Sequence, residues 1–324
     1  MVDQTSRYSI AVDIPQLRTI LHVAELGSLS KASERLNIAQ PALSRQVRLL
    51  EAELGVRLFD RHGRGMVATE AGLAVLRHAG RVMAELEELR ASVAGEDTPL
   101  RGHVAVGMPP TVSDLLSVRL VTAFQERHPE ATLRIVSAYS ASLVDWLRRG
   151  EINVAILYGT RTGSSLTVTP LIEETLALIG PPTEPPRAGP VGADDIAGLR
   201  FFLPSVGNGL RTVVEHWAEA TGASLDVRVE ADSYATLKGL VASGRGYTIL
   251  PVAPLHGDIA AGRLWHAPFA GPAPFRRLLL ATPADRATSR LARYAVRTIE
   301  ETTRALADEG VWQGRVLAGT AGEP

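Results

Sequence analysis

Residues 16–72 read QLRTILHVAELGSLSKASERLNIAQPALSRQVRLLEAELGVRLFDRHGRGMVATEAG, and the apolar spacing of this stretch decides the first fold. Pro15, at a first-turn position, predicts a helix that carries Leu17, Ile20, Leu21 and Ala24 and closes near Gly27. Ser28 or Ser30 is placed to cap a second helix, Leu29 to Leu36, with Ala32 and Leu36 facing inward. After the turn Asn37-Ile38-Ala39, a third helix runs from Gln40 or Pro41 to Leu54, burying Leu43, Val47, Leu50 and Leu54, and Gly55 ends it. Two helices joined by so short a turn match a helix-turn-helix, whose second helix enters the DNA major groove by its N-terminal end. Gln40, Ser44, Arg45 and Arg48 lie on that end, opposite the leucines. Glutamine suits adenine edges, and arginine suits guanine or phosphate. Val56 to Thr69 then reads as a two-stranded wing that turns at Gly63-Arg64-Gly65, and Arg61 and Arg64 converge with Arg45 and Arg48. His62 is a further wing residue.

Charge counted over the whole chain hides this module. The 324 residues hold 34 Lys and Arg against 35 Asp and Glu, a formal charge of -1, which by itself argues against a nucleic-acid partner. Over residues 14–69 there are eight bases against five acids, a balance of +3, and the acid-rich stretch 70–97 cancels it. Lys31 and Lys238 are the only lysines; every other base is arginine, the planar fork suited to phosphate and guanine. A hydrophobic share of 45% and a charged share of 21% exclude a wholly disordered chain. The absence of cysteine excludes disulfides, thiolate metal sites and cysteine nucleophiles. The start, MVDQTSRYSIAVDIPQ, lacks the apolar run of a signal peptide, and no uncharged apolar stretch is long enough to span a bilayer. A cytoplasmic protein is expected.

Residues 16–72, and above all SLSKASERLNIAQPALSRQVRLLEAELGVRLFDR and the closing TEAG, resemble the winged helix-turn-helix of LysR-type transcriptional regulators. The resemblance implies that Gln40, Pro41, Ser44 and Arg45 contact DNA in the groove, that Ser28, Ser30 and Lys31 hold phosphate, and that Arg64 reaches the flanking backbone. One departure is Ala68 before Thr69, where the family usually has leucine.

Thr69-Glu70-Ala71-Gly72 opens a long helix, since threonine caps and Glu70 suits the positive end of the helix dipole. Val75, Ala79, Val82, Leu86, Leu89 and Val93 recur every three or four residues, a two-per-heptad stripe that predicts a dimerisation helix. A dimer would set two reading helices about 34 Å apart, one turn of DNA.

Beyond the turn-rich linker 95–102, strand and helix alternate: His103–Val106, Val112–His128, Ala131–Val136, Ser142–Gly150 and Val154–Leu157. A second round follows in residues 176–250, and Arg276–Ala281 and Ala287–Asp308 return to the first. The order predicts a parallel sheet with crossover helices. Two α/β lobes joined by crossing strands resemble the effector domain of the same family, a periplasmic-binding-protein-like fold with its ligand between the lobes. The organisation expected is an α/β protein in four parts: a winged helix-turn-helix at 13–69, a linker and dimerisation helix at 70–98, an effector domain at 99–310 and a C-terminal tail at 311–324. Lobe I takes about 99–173 and 276–310, and lobe II about 174–275.

Ligands in such sheets lie at strand C-ends and helix N-termini. Thr111, Ser113, Ser140, Ser205 and Asn208 stand at such places, with Arg211 one turn on and Tyr234 and Tyr247 further along lobe II. Exposed N-terminal amides attract anions, so a small organic anion is the expected effector. Ser28-Leu-Ser-Lys31 has the serine-x-x-lysine spacing of penicillin-binding enzymes without their partner motifs, and neither a P-loop nor a His-Glu-x-x-His motif occurs. No cofactor, metal or catalytic residue is expected. The partners expected are promoter DNA, the effector, a second copy as dimer or homotetramer, and RNA polymerase as a candidate; the alternative is an enzyme or solute-binding module fused to a DNA-binding domain.

Overall fold

The computed structural model describes residues 12–62, 65–92, 98–159 and 165–317. Two compact units divide the chain between Thr98 and Pro99.

The first unit begins with helix α1 (Ile14–Leu26), held at its start by a reciprocal cap: Asp13 accepts from the Gln16 amide at 2.8 Å, and Gln16 accepts from the Asp13 amide at 3.1 Å. Gly27 ends it in the left-handed conformation. Ser28 caps α2 (Leu29–Leu36), accepting from the Lys31 amide, and Asn37 ends α2 at φ 54°, a value asparagine tolerates better than most residues. Helix α3 (Gln40–Leu54) follows, then a hairpin of β1 (Phe59–His62) and β2 (Gly65–Ala68), then α4 (Glu70–Ser92). Ile20, Val23, Ala32, Leu43, Val47, Leu50, Leu58 and Ala79 form one core. Leu54 is the exception among the expected core leucines, being 37% exposed in the last turn of α3. The hairpin docks by backbone, Met66 donating to the Gly27 carbonyl at 2.8 Å, and its base is closed by Thr69, which donates to Leu58 at 3.0 Å. Gly72 lies so close to the residue before β1 that a Cβ on it would stand 2.0 Å from the Leu58 carbonyl oxygen. The glycine of TEAG is therefore a packing requirement.

The second unit has strands β3 (Gly102–Met108), β4 (Ala131–Ser137) and β5 (Val154–Tyr158), joined by helices α5 (Pro110–Arg127) and α6 (Ser140–Arg149). Strand β6 (Leu166–Gly180) leads into lobe II, which holds β7 (Arg200–Leu203), α7 (Gly209–Thr221), β8 (Asp226–Glu230), α8 (Tyr234–Ala242), β9 (Thr248–Pro251), α9 (His256–Ala260) and β10 (Trp265–Ala267). Strand β11 (Phe275–Pro283) returns to lobe I and is followed by α10 (Arg290–Asp308) and β12 (Gly314–Val316). Separate cores sit in lobe I, around Leu143, Leu147 and Ile152, and in lobe II, around Phe201, Trp217 and Ile249.

The sheet differs from the expected parallel one. β4, β3 and β5 are parallel, but β11 runs antiparallel to both β5 and β6. A strand leaving a lobe and a strand returning to it must run in opposite directions, and this fold places them side by side. β6 belongs to both lobes: it pairs with β11 from Leu166 to Thr175, then with β9 from Leu176 and with β10 up to Gly180. Nor are residues 311–317 a loose tail, since Trp312 is only 1% exposed and β12 pairs with β6.

Candidate DNA-reading surface and effector cleft

Helix α3 buries Leu43, Val47 and Leu50 at every third or fourth position, which forces its other face into solvent. Gln40, Pro41, Arg45 and Arg48 are exposed there, and Ser44 is half-buried among them. No side chain caps the start of α3, where Ala39 stands in the N-cap position. Its positive end is thus open on the same side as Gln40. Ser30 and Lys31 are exposed at the start of α2, while Ser28 is half-buried and engaged as its cap. Arg61 lies in β1 opposite Met66. Arg64 lies outside the described residues.

Two residues that hold this surface escaped the sequence reading. Glu51, on α3, accepts from the Leu58 amide at 2.8 Å and the Phe59 amide at 3.3 Å, tying α3 to the start of the hairpin. Thr19, fully buried on α1, donates to the Gln46 side chain at 2.6 Å. Only the helical spacing that puts Glu51 one turn on from Val47, on the buried face of α3, could have hinted at such a role.

The stripe on α4 divides. Ala79 is buried and Val75 half-buried against the core of the first unit. Val82 and Leu89 are exposed, at 46% and 64%, and Leu86 is half-buried. Val93 lies outside the described residues.

In the second unit, Thr111 at the N-terminus of α5 is buried, and its hydroxyl lies 2.6 Å from the Tyr158 hydroxyl at the end of β5. Arg276 of β11 donates to the same Thr111 oxygen at 3.3 Å, and its guanidinium stacks 3.9 Å from the centre of the Tyr158 ring. Glu174 accepts from Arg276 at 2.5 Å and from the Trp312 indole at 2.8 Å, so this buried cation is paired and the acid has two donors. Burial alone would depress the Arg276 guanidinium, but the adjoining Glu174 and Tyr158 outweigh it and hold it fully charged. Burial pushes the Tyr158 phenol well above its ordinary range, so it remains a proton donor. Ser140, the first residue of α6, accepts from the Tyr158 amide at 2.9 Å. Ser140 and Tyr158 also border an open depression of about 360 Å³, with Asp145 and Arg148 on its rim. Ser113 bonds along α5 to Ser117 at 3.0 Å.

Lobe II places its expected residues differently. Ser205 donates by its amide (3.1 Å) and its hydroxyl (2.8 Å) to the carboxylate of Asp232, and Asn208 reaches that carboxylate at 3.4 Å while capping α7 through Leu210. These donors hold the Asp232 carboxyl below its usual range. Asp232 stands where the sequence places an anionic ligand. Its backbone carbonyl accepts from the Tyr139 hydroxyl of lobe I. Arg211 is not brought to this group; it is buried and bonded to Glu215 (2.7 Å), Glu230 (3.3 Å) and the Pro204 carbonyl (3.1 Å). Tyr234 donates to the Pro254 carbonyl at 3.0 Å, and burial raises its phenol. Tyr247 is buried in lobe II, bonded to Glu184 and edge-on to Trp265, and burial with Glu184 pushes its phenol up to about 12. It belongs to the lobe core, since its amide and carbonyl bond to Arg200 and Phe202.

Arg276, Glu174, Tyr158 and Trp312 were missed from sequence. A signal for two of them was there: Glu173-Glu174 interrupts the apolar strand LIEETLALIG, and Arg276-Arg277 interrupts FRRLLLA, a complementary pair of breaks. No helix among the described residues is long and apolar enough to cross a membrane, and no group of three or more His, Cys, Asp or Glu among them could hold a metal.

Comparison with known proteins matches both units. A family model described as bacterial regulatory helix-turn-helix protein, lysR family, matches residues 14–73, and one described as LysR substrate binding domain matches residues 97–304. The HTH-type transcriptional regulator BbuR of Bordetella bronchiseptica is 30% identical over 304 residues, 94% of each chain. The nitrogen assimilation regulatory protein nac of Klebsiella aerogenes is 30% identical over 262 residues, 81% of this chain and 85% of that one. Among solved structures, a full-length OxyR variant of Pseudomonas aeruginosa superposes with a TM-score of 0.70 at 25% identity, covering 97% of this chain and 99% of that one.

Proposed function

The chain belongs to the LysR family of bacterial transcriptional regulators, and on that premise we propose how its own residues divide the work. It is a DNA-binding regulator with a helix-turn-helix domain and an effector-binding domain, and its family and relatives are regulators rather than enzymes.

Gln40, Pro41, Ser44, Arg45 and Arg48 read the major groove, Ser28, Ser30 and Lys31 hold phosphate, and Arg61 and Arg64 follow the flanking backbone. The observation that carries this reading is the exposed row Gln40, Arg45 and Arg48 above the buried Leu43, Val47 and Leu50. Val82 and the residues of its stripe pair α4 with a second copy, giving a dimer or a dimer of dimers on a partly palindromic site. The output reaches RNA polymerase from there.

An effector binds between the lobes. The loop at Ser205 and Asn208 already grips a carboxylate, that of Asp232, which supports a small organic anion as the ligand class. Such an anion would take the place of Asp232, whose carbonyl holds Tyr139 of the opposite lobe. Binding would thereby release one link between the lobes, giving the effector the different affinities for two states that coupling to DNA requires. Footprinting of the full-length protein on its own upstream DNA, repeated with a panel of small carboxylates and of amines, tests both parts. A protected site whose extent changes with a carboxylate is the result expected; protection insensitive to Arg45→Ala, or a response confined to amines, would overturn the corresponding part.

A further inference from the structure

The two acids of β6 that interrupt its apolar run are each held from both sides. Glu174 is shared between Arg276 of β11 and the Trp312 indole. Glu173 is shared between Arg277 of β11 at 2.9 Å and Arg315 of β12 at 3.3 Å. Successive residues of a strand point to opposite faces of the sheet, so the C-terminal segment grips β6 on both faces. The grip falls where β6 passes from one lobe to the other, since its pairing with β11 ends at Thr175 and its pairing with β9 begins at Leu176. Gly314 permits the close approach: its φ is 159°, and a Cβ there would stand 2.4 Å from the Glu173 carbonyl oxygen. The segment is anchored at its base by Val311 and Trp312, both of which donate to the Leu306 carbonyl, and it lies beyond the 97–304 match to the effector-domain family model.

We propose that residues 311–317 form a strap that sets the stiffness of the inter-lobe hinge, with Trp312 a positioning residue that acts through Glu174 on Arg276 and so on the Thr111 and Tyr158 hydroxyls at the cleft. Losing the indole donor frees one oxygen of Glu174, the Arg276 fork loses its fixed partner, and the stack on Tyr158 loosens. The consequence for the effector's response rests on the reading of the cleft given above; the mechanical link from Trp312 to Thr111 does not.

The experiment is hydrogen exchange on full-length protein with no small molecule added, comparing wild type, Trp312→Phe and Glu174→Gln. Phenylalanine keeps an aromatic ring in the buried site and removes the N–H. Glutamine keeps an acceptor for the indole and removes the charge opposite Arg276. Trp312→Phe is expected to speed exchange by about fivefold or more at residues 274–277 and 111–114 as well as at 312–317. Glu174→Gln is expected to do so at 274–277 and 111–114 while leaving 312–317 protected. Changes confined to 311–317 and 171–174 in both variants, or a uniform rise across residues 99–317, would overturn the proposal by reducing the segment to packing. Because no effector is present, that failure is distinct from a failure to find an effector for the cleft.

Discussion

The Tyr139 hydroxyl donates to the backbone carbonyl of Asp232, which ties the start of α6 in lobe I to the loop before α8 in lobe II. Burial, followed by the nearby Asp232 charge, raises the Tyr139 phenol above its ordinary value, so the donor keeps its proton through the neutral range. Tyr139→Phe removes this donor and little else, since the side chain is 48% exposed. A single hydrogen bond of this kind contributes about 0.5–1.5 kcal/mol net. The variant should show faster amide exchange at both 138–142 and 231–236, with residues 14–92 unchanged; equal exchange on the two sides of the cleft would mean the link is not formed in solution.

Ser205 sets the acidity of Asp232, because its hydroxyl is the largest of the donors that hold the carboxyl down, ahead of its amide. A carboxyl with a depressed folded pKa favours the folded arrangement above its unfolded value, about 3.9, and that contribution is lost as pH falls through the folded value. Ser205→Ala should therefore move the Asp232 titration, followed by carbon-detected magnetic resonance, back up toward the ordinary aspartate range. If the titration does not move, the hydroxyl is not on the carboxylate. The same variant should weaken binding of a carboxylate effector, while Asp232→Asn, which supplies a poorer internal competitor, should strengthen it.

The helix-turn-helix was legible in sequence because its determinants are local. Leu43, Val47 and Leu50 recur at helical spacing, Ser28 caps three residues ahead, and Gly27, Asn37 and Gly55 fall where the chain must turn left-handed. The cleft was less legible, for a physical reason. Arg276 and Glu174 face each other because β6 and β11 lie side by side in one register, and Trp312 reaches Glu174 from 138 residues away. Pairing across that distance leaves no period in the chain. Arg211 misled for a related reason: its place near a helix start favours an anion, but Glu215 one turn on and Glu230 in the adjoining strand already take its fork.

Arg45 stands exposed on α3 with no ion pair to a described residue. If it reads a base edge, Arg45→Ala should cost about 1–3 kcal/mol on the specific site and relax sequence preference at one position. If it meets phosphate, binding should weaken evenly across sequences and the salt dependence should lose about one charge. Footprint titrations on specific and scrambled DNA at several salt concentrations separate the two, and a Kd unchanged under all of them removes Arg45 from the interface.

Two glycines of α4 should respond in opposite directions. A Cβ at Gly72 would meet the Leu58 carbonyl oxygen at 2.0 Å, whereas one at Gly80 meets nothing within 4 Å. Backbone cannot swing aside as a side-chain tip can, so Gly72→Ala should lower stability by about 1–3 kcal/mol through overpacking. Gly80→Ala should raise it by roughly 0.5–1 kcal/mol, since glycine inside a helix costs about that much relative to alanine. Urea unfolding of full-length protein, followed at the transition of the N-terminal unit, reads both signs; a neutral Gly72→Ala would mean the wing does not dock on α4 as described.

His128 gives the second unit a dependence on pH. The ring is 4% exposed, packs edge-on to Phe124 and Tyr294, and its Nδ1 accepts from the Leu100 amide at 3.0 Å. Burial first, then Arg127, Arg290 and Arg297, push its pKa below the ordinary histidine value. The unfolded chain therefore takes up a proton before the folded one does, and stability declines as pH falls below about 6.5, continuing down to the depressed folded value. Protonation also removes the acceptor that Leu100 uses. His128→Asn keeps an oxygen acceptor and cannot titrate, so its urea midpoint for the effector unit should change less between pH 7 and pH 5 than that of the wild type. Parallel pH profiles for the two proteins would show that His128 is not the titrating group.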